Sequence, residues 1–395
     1  MTAPLPLAGR RLWFVGIGGA GLSAYAQLAR AWGAEVGGWD RVATAYLAPL
    51  EGVWVELSPE PVVPAGWEPV VSSAYPGVAG RPRRELLGEL VGLRPSIVVA
   101  GSHGKGTTAA MIAFVLAESG RDPAWLIGAP VPQLGSNAGA GAGWLVVEGD
   151  ESDRTVFSLR PEIAVVTNID LDHHTEFASE AELAAEFEGW LAGASRIVRD
   201  APAYDGPLAV PGAHNRLNAG AALAALALAG VARAEAAPLL ARFAGTGRRF
   251  EVQEAGGVVI VDDYAHHPTE LAATIAAARE RFPGATVRVL FQPHLYSRTR
   301  HLARELAVAL ATADDIVVTD IYPARERPLP GVSGKLIVDA LSDLGRLVGW
   351  LPAVADAAGY LAARAHPGDV IVVAGAGDVD RAVGLLRDLL QGAGR

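Results

Sequence analysis

Short apolar runs followed by glycine-rich or polar turns recur along this chain, and this pattern constrains its fold more than any other feature. Each run consists of a few Val, Ile, Leu or Phe residues, which is typical of strands buried on both faces of a parallel sheet. The runs are residues 12–15, 97–99, 163–166, 258–261, 287–291, 316–318 and 370–373. Ala- and Leu-rich segments between them predict helices, so we expect an α/β fold built on parallel sheets.

The length and two changes of pattern predict more than one domain. A chain of 395 residues is too long for one ordinary core and suits two or three domains. One boundary falls just before a new strand, loop and helix, and the other follows a long Ala-rich helical stretch. We therefore expect domains over residues 1–93, 94–246 and 247–395. Residues 138–143, which are rich in Gly and Ala, are expected to form a loop.

Composition excludes several classes of protein. The net charge of -10 argues against a general nucleic-acid binder, because phosphate backbones are held by surplus Lys and Arg. No apolar run is long enough to predict a membrane span, and the first residues lack the apolar core of a signal peptide. The absence of cysteine excludes disulfides and thiol chemistry. We expect a cytoplasmic protein.

The first glycine-rich turn follows the first predicted strand and precedes a helix. Residues 16–21 read Gly-Ile-Gly-Gly-Ala-Gly, and the glycines at its turn are Gly16, Gly18, Gly19 and Gly21. Such a turn lets a diphosphate approach the free N–H groups of a helix N-terminus. Asp40 follows where a ribose-binding acid lies in dinucleotide-binding folds. The motif indicates a nucleotide diphosphate, although a turn that serves only helix–strand packing stays an alternative.

A second glycine-rich turn contains one of the two lysines of the chain, since 31 of the 33 basic residues are Arg. Lys is a compact point charge that fits a phosphate-binding loop better than the guanidinium fork does. The successive backbone N–H groups of this turn form an anion-binding nest, from which the Lys105 side chain reaches the outer phosphates. The predicted loop residues are Gly101, Ser102, His103, Gly104, Lys105, Gly106, Thr107 and Thr108.

Two polar clusters follow other predicted strands of the same domain. Residues 148–153 contain four carboxylates, of which one, such as Glu148, suffices to hold Mg²⁺ beside a phosphate loop. Residues 167–174 read Thr-Asn-Ile-Asp-Leu-Asp-His-His, and His173 is a candidate metal ligand. A solvated acidic loop and surface histidines are the alternatives.

The ordered series of motifs resembles the Mur ligase family. It includes residues 101–105, 148–153 and 172–173, and the string His-Asn-x-x-Asn at 214–218. Several strings resemble the branch that adds alanine to UDP-N-acetylmuramate. They are residues 16–21 and 148–153, Arg-Arg-Phe at 248–250, Asp-Asp-Tyr-Ala-His-His-Pro-Thr-Glu at 262–270, Phe-Gln-Pro-His at 291–294 and Gly-Ala-Gly-Asp at 375–378. The likeness runs in order from about residue 12 to residue 395.

This resemblance implies three domains and an amide-forming reaction. A Rossmann-like N-terminal domain would bind the UDP-sugar, a phosphate-loop central domain would bind ATP, and a Rossmann-like C-terminal domain would bring the amino acid. The implied substrates are UDP-N-acetylmuramate, L-alanine and ATP with Mg²⁺, and the implied assembly is a monomer or homodimer. No nucleic acid or membrane is implied.

The resemblance also implies residue roles. Lys105 would contact the outer phosphates, Glu148 and His173 would each hold a Mg²⁺, and Arg249 would contact phosphate. ATP would further be bound by Asn168, His214, Asn215, Asn218 and Asp263. The substrates would be bound by Gly16, Gly18, Gly19, Gly21, Asp40, Ser72, Ser73, His266, Ser297 and Arg298.

Three features depart from the family pattern. Thr usually follows the loop lysine, where this chain has Gly106, so we expect a loop one residue longer in which Gly106 takes positive φ and Thr107 reaches Mg²⁺. Arg usually follows Phe-Gln-Pro-His, where this chain has Leu295. The segment from residue 174 to 214 is shorter than usual.

Other functions stay open at this point. A related ligase that attaches a recycled tripeptide to the same sugar acid is the nearest alternative. An NAD-dependent oxidoreductase would explain the first glycine turn but not the other motifs. Because Gly106 and Leu295 depart from the family pattern, a binding protein without catalytic activity is a third alternative.

Overall fold

Three β-sheets organise the part of the chain that the structure describes, which comprises residues 5–171, 176–324 and 326–392 of a computed structural model. The chain divides into two compact units. The first consists of the described parts of Met1–Asp170, Ser179–Ala209 and Arg216–Thr246, and contains two sheets. The second unit consists of the described parts of Leu171–Ala178, Val210–Asn215 and Gly247–Arg395, and contains the third sheet. This division does not test the predicted limits at 93/94 and 246/247, which stay predictions.

The first sheet is parallel and has the order β3-β2-β1-β4-β5. Aromatic residues build the core on one of its faces, where Trp13 packs edge-on against Trp54 with ring centroids 4.7 Å apart. Trp39 and Tyr75 extend this core towards the carboxyl ends of the strands. Its elements are β1 (Arg11–Val15), α1 (Ala20–Ala31), β2 (Glu35–Asp40), β3 (Trp54–Leu57), β4 (Glu68–Val71), β5 (Arg81–Pro82) and α2 (Arg83–Gly92).

The second sheet has the order β11-β10-β6-β9-β7-β8 and is parallel except for the β7–β8 pair. Its central helix α3 is apolar all round and is buried from Thr108 to Leu116, as a helix covered on every side must be. Its elements are β6 (Ser96–Ala100), α3 (Lys105–Glu118), β7 (Ala124–Val131), β8 (Ser136–Ala140), β9 (Leu145–Glu148), β10 (Ile163–Val166), α4 (Glu180–Leu191), β11 (Arg196–Val198), α5 (Ala213–Leu228) and α6 (Arg233–Leu240).

The third sheet has the order β12-β13-β17-β14-β15-β16, and only the β12–β13 pair is antiparallel. Apolar side chains alternate between its two faces, so that one core includes Val261 and Leu271 and the other Ile260 and Leu386. Its elements are β12 (Glu251–Ala255), β13 (Val258–Asp263), α7 (Pro268–Arg281), β14 (Val287–Phe291), α8 (Tyr296–Leu310), β15 (Asp315–Val318), α9 (Lys335–Asp343), β16 (Gly349–Trp350), α10 (Val354–Arg364), β17 (Val370–Ala374) and α11 (Arg381–Gly392).

The structure confirms the α/β prediction and corrects one local expectation. Each of the seven apolar runs is a strand that pairs in parallel with at least one neighbour. Residues 138–143 do not form only a loop, because Ala138 to Ala140 belong to strand β8. A Cβ atom on Gly139 would lie 2.2 Å from the Trp125 ring, so the aromatic side chain of β7 covers this glycine. Tertiary packing therefore makes a strand of a sequence with low strand propensity.

The structure also bears on the membrane question. No helix in its described residues is long and apolar enough to cross a membrane.

Candidate functional site

The glycine loop between β6 and α3 depends on close packing at Gly104. Gly104 has a φ of 78° and precedes the first residue of the helix, Lys105. An ideal Cβ atom at Gly104 would lie 2.2 Å from Asn218 Oδ1. Only glycine combines this left-handed backbone with so near a neighbour. The structure thus brings Asn218, a predicted nucleotide residue, against the loop.

Side chains that follow β10 hold the same loop. Asn168 Oδ1 accepts a hydrogen bond of 2.8 Å from the His103 backbone N–H, and Asn168 Nδ2 donates to the His103 carbonyl over 2.9 Å. Thr167 Oγ1 donates to that carbonyl over 2.6 Å. Ser102 Oγ donates to the Asp170 carbonyl over 2.6 Å. These bonds fix the loop in a conformation whose helix N-terminus is suited to an anion.

Lys105 lies in a strongly negative environment. Its Nζ atom donates to the Ser102 carbonyl over 3.0 Å and lies 3.0 Å from Glu151 Oε2. Burial acts to lower the pKa of Lys105, but the charges of Glu151, Asp150 and Glu148 outweigh burial and raise this pKa. The lysine is therefore charged at neutral pH. The sequence predicted its position but not its partnership with Glu151.

Glu148, at the end of β9, lies between two glycines. Its Oε2 atom accepts a 2.6 Å hydrogen bond from the Gly128 backbone N–H. A Cβ atom on Gly106 would lie 3.1 Å from both carboxylate oxygens. The carboxylate thus faces the first turn of α3, directly beside the phosphate loop, where a hard cation prefers oxygen ligands.

The expectation of a longer loop at Gly106 is wrong. Helix α3 begins at Lys105, so Gly106, Thr107 and Thr108 all have helical backbone. Gly104 already supplies the left-handed residue that ends the loop, which leaves no need for a second one. Thr107 is half-buried and Thr108 fully buried, and Thr108 Oγ1 has no hydrogen-bond partner within the described residues.

Arg83 connects the first sheet to the acidic segment of the second. Its guanidinium donates to Asp153 Oδ2 over 2.5 and 3.1 Å and to Asp150 Oδ2 over 3.3 Å. Arg83 and Asp153 also line a cavity of about 330 Å³ together with Ser72 and Ser73, two predicted substrate residues. Arg83 is not predicted from the sequence, because nothing in its local pattern distinguishes it from the other arginines.

The first glycine turn is held by Asp40. Asp40 Oδ2 accepts a 2.7 Å hydrogen bond from the Gly18 N–H, and Thr44 Oγ1 donates to the Gly18 carbonyl over 2.6 Å. Gly16 has a φ of 92°, and Gly19 immediately precedes α1. A Cβ atom on Gly21 would lie 3.1 Å from Arg83 Nη1. The predicted substrate residues of this turn thus lie together at one helix N-terminus.

In the second unit, Asp263 is the last residue of strand β13, and its buried carboxylate binds two backbone N–H groups. Its Oδ2 atom accepts from the Phe250 N–H and its Oδ1 atom from the Ala265 N–H, each over 2.8 Å. Burial raises the pKa of Asp263, which the charge of Arg249 opposes. Phe250 has a φ of 54°, a conformation that non-glycine residues adopt only where the surroundings enforce it.

Predicted substrate residues of the second unit form a second polar group. Glu270 accepts from the His266 N–H over 3.1 Å and from Arg249 Nη1 over 3.4 Å. The His266 ring lies edge-on to that of His294, with centroids 5.8 Å apart. Arg298 is buried and lies 3.0 Å from His294 Nδ1. The structure thus brings Arg249, His266 and Arg298 into one neighbourhood.

Leu295 and Ser297 flank the start of α8. Leu295, where the family has Arg, has a φ of 69°, which is strained for a branched side chain. The Ser297 N–H donates to Glu326 Oε2 over 2.9 Å, and its hydroxyl donates to Glu326 Oε1. Backbone strain of this kind is typical of functional loops.

His214 and Asn215 lie in the first turn of α5. Burial and the charge of Arg249 lower the pKa of His214, so its imidazole is neutral at neutral pH. Asn215 Nδ2 donates to the Pro211 carbonyl over 2.7 Å. His173 lies outside the described residues. Among the described ones, no group of three or more carboxylates and histidines could hold a metal.

Asp262 gives a prediction on stability. Burial raises its pKa from 3.8 to about 6, against the effect of Arg248, whose Nε atom lies 3.5 Å away. Between these values the folded chain keeps a proton that the unfolded chain releases, so folding stability falls as the pH rises through this window. Asp262→Asn cannot ionise, and its melting temperature should exceed that of the wild type at about pH 7.5 but not at about pH 4.5.

Thermal melting at the two pH values measures this effect. Asp380→Asn is the control, because Asp380 also lies 3.5 Å from Arg248 but is 43% exposed. An equal pH-dependent gain in both variants would contradict the assignment to Asp262.

Comparisons with known proteins give the family. The Mur ligase middle domain matches residues 99–195, and the Mur ligase glutamate ligase domain matches residues 248–377. UDP-N-acetylmuramate–L-alanine ligase of Paenarthrobacter aurescens is 37% identical, with 93% of this chain and 94% of the relative covered. That of Streptomyces coelicolor is 38% identical, with 96% and 97% covered.

The solved structures agree with the sequence relatives. UDP-N-acetylmuramate–alanine ligase of Thermotoga maritima superposes with a TM-score of 0.80 at 25% identity, covering 97% of this chain and 99% of that one. The alignment to the Paenarthrobacter aurescens relative spans 436 residues, more than the 395 of this chain, so that relative contains insertions which this chain lacks. The chain therefore belongs to the Mur ligase family, in its branch of UDP-N-acetylmuramate–L-alanine ligases.

Proposed function

We propose that this chain joins L-alanine to UDP-N-acetylmuramate with hydrolysis of ATP to ADP and phosphate, a reaction of peptidoglycan synthesis. The observation that carries the proposal is the position of Lys105 at the first residue of α3, behind a glycine loop and beside Glu148. Family membership implies the use of ATP. The substrates are those that the names of the relatives state for those proteins.

The loop performs the first chemical step by electrostatics. The carboxylate of the sugar acid attacks the γ-phosphorus of ATP, and ADP leaves with the electrons of the broken P–O bond. Lys105 and the N–H groups of the first turn of α3 stabilise the negative charge on the transferring phosphoryl group. The amino group of alanine then attacks the acyl carbon of the resulting acyl phosphate. The C–N bond forms, the C–O bond to phosphate breaks, the amine proton passes to a histidine of the site, and phosphate leaves.

Mg²⁺ fits the carboxylate of Glu148, which lies beside the loop and faces the start of α3. When bound, the ion supplies positive charge that offsets the phosphate charges. We propose His173 as a further ligand, and we propose that water takes the position that the sequence assigned to Thr107. Gly106, which has no hydroxyl, faces Glu148, and Mg²⁺ keeps water molecules wherever protein ligands are missing.

The other residues bind and orient the substrates in this proposal. The neutral imidazole of His214 lies against adenine, with Asn215 and Asn218 nearby, and Asp263 bonds the ribose. Asn168 shapes the phosphate loop through His103. The amino acid and the sugar acid are bound by Arg249, His266, Ser297 and Arg298. The UDP moiety is bound by the first glycine turn and by Asp40, Ser72 and Ser73.

A phosphate-release assay tests the proposed reaction. The purified chain is supplied with UDP-N-acetylmuramate, ATP, Mg²⁺ and one amino acid at a time, and release is expected with L-alanine. Release with a murein tripeptide but with no single amino acid would replace the proposal by tripeptide recycling. No release with any acceptor, together with nucleotide binding, would indicate a binding protein.

A substitution at Thr107 tests its role as a metal ligand. Thr107→Val removes the hydroxyl but keeps the shape. We expect its Mg²⁺ requirement in the same assay to change by roughly threefold or less, because Gly106 faces the metal-binding carboxylate and water can take the place of the hydroxyl. Thr108→Val is the control, because it makes the same change at the next residue of the helix, which is fully buried. A tenfold or larger rise for Thr107→Val alone would establish Thr107 as a direct ligand.

A further inference from the structure

The partner of Lys105 in this structure is itself an anion. Lys105 Nζ lies 3.0 Å from Glu151 Oε2 and 3.1 Å from Glu151 Oε1. The lysine side chain is 15% exposed and the glutamate side chain only 2%. In such a place each charge stabilises the other, because water contributes little to the solvation of either.

Nucleotide binding changes this balance. When the ammonium of Lys105 turns towards the outer phosphates, it moves away from Glu151. The buried carboxylate then faces the incoming phosphates, and like charges repel strongly where water is excluded. Asp150 and Glu148 add further negative charge around the lysine.

A divalent cation on the triphosphate relieves this conflict. It cancels about two negative charges of the nucleotide and places positive charge near the carboxylates. We propose that Glu151 is a built-in competitor for the phosphates at Lys105, through which the site selects the magnesium complex of ATP over free ATP. This inference rests on the proposed function, in which Lys105 binds the outer phosphates.

Titration calorimetry tests the proposal without turnover. The affinity of a non-hydrolysable ATP analogue is measured with Mg²⁺ and with a chelator, for the wild type and for Glu151→Gln. Glutamine keeps the shape of the side chain and removes its charge. We expect Glu151→Gln to bind the Mg²⁺-free analogue about tenfold more tightly than the wild type does, or better, and to discriminate less between the two forms.

Asp153→Asn is the matched control. It removes the same charge from the same segment, but Asp153 pairs with Arg83 and not with Lys105. We expect its affinity for the free analogue to change much less. An equal gain in both variants would show a general charge effect and overturn the proposal, as would no gain in Glu151→Gln.

The small number of lysines allows a second measurement on the wild type itself. Side-chain labelling of lysine gives two NMR signals, from Lys105 and from Lys335, whose Nζ atom bonds Asp339. The Lys105 signal should shift with the magnesium complex at concentrations where the free analogue leaves it unchanged. Equal shifts with both forms would overturn the proposal, whether or not Glu151→Gln folds.

The failures of the two proposals are distinguishable. If the wild type binds neither form of the analogue, the proposed function fails. If it binds both forms with equal affinity, the nucleotide site stands and only the role of Glu151 fails.

Discussion

Lys105→Ala should reduce phosphate release by at least about 100-fold, because it removes the charge that stabilises the transferring phosphoryl group. The loop keeps its backbone N–H groups, since Gly104, Asn168 and Thr167 hold its conformation, and the lysine side chain contributes one bond, to the Ser102 carbonyl. The measurement is phosphate release with saturating substrates. Lys335→Ala is the matched control, because it makes the same change at an exposed lysine of the other unit.

A loss of activity through misfolding is separable from this effect. Lys105→Ala removes the cation that lies 3.0 Å from the buried Glu151 carboxylate, which lowers stability. The double variant with Glu151→Gln removes that buried charge and should regain stability without regaining activity. Near-normal phosphate release from Lys105→Ala would mean that the loop does not act on phosphate.

Glu148→Gln should raise the Mg²⁺ concentration required for half-maximal activity by about tenfold or more, since a neutral amide is a weaker ligand for a hard cation than a carboxylate is. The amide oxygen can still accept the hydrogen bond from the Gly128 N–H, so the local structure is kept. A Mg²⁺ titration of phosphate release measures the change.

The control for this variant is again Asp153→Asn, which removes one charge from the same segment. Its Mg²⁺ requirement should change less, because Asp153 bonds Arg83. If Glu148→Gln titrates like the wild type, another acid between residues 148 and 153 holds the ion.

Local patterns were sufficient for the seven strands that contain the apolar runs and for the positions of the two glycine turns. An apolar run between turns predicts a buried strand wherever it occurs, and a lysine in a glycine loop after a strand predicts a helix N-terminus with a phosphate site. These features depend on residues that are close in sequence. For the same reason the prediction failed at residues 138–143, where strand β8 exists only through its pairing with β7 and the packing of Trp125.

The sequence by itself therefore determined the class of fold, the loop with its lysine and the acid Glu148 that follows a strand. Only the tertiary structure decided that Glu151 is the partner of Lys105, that Gly106 lies in the helix facing Glu148, and that Asn218 packs on Gly104. These contacts join residues of different elements, and the order of strands in the sheet sets which elements meet. Strand β9 lies next to β6, so the acids at the end of β9 reach the lysine that follows β6.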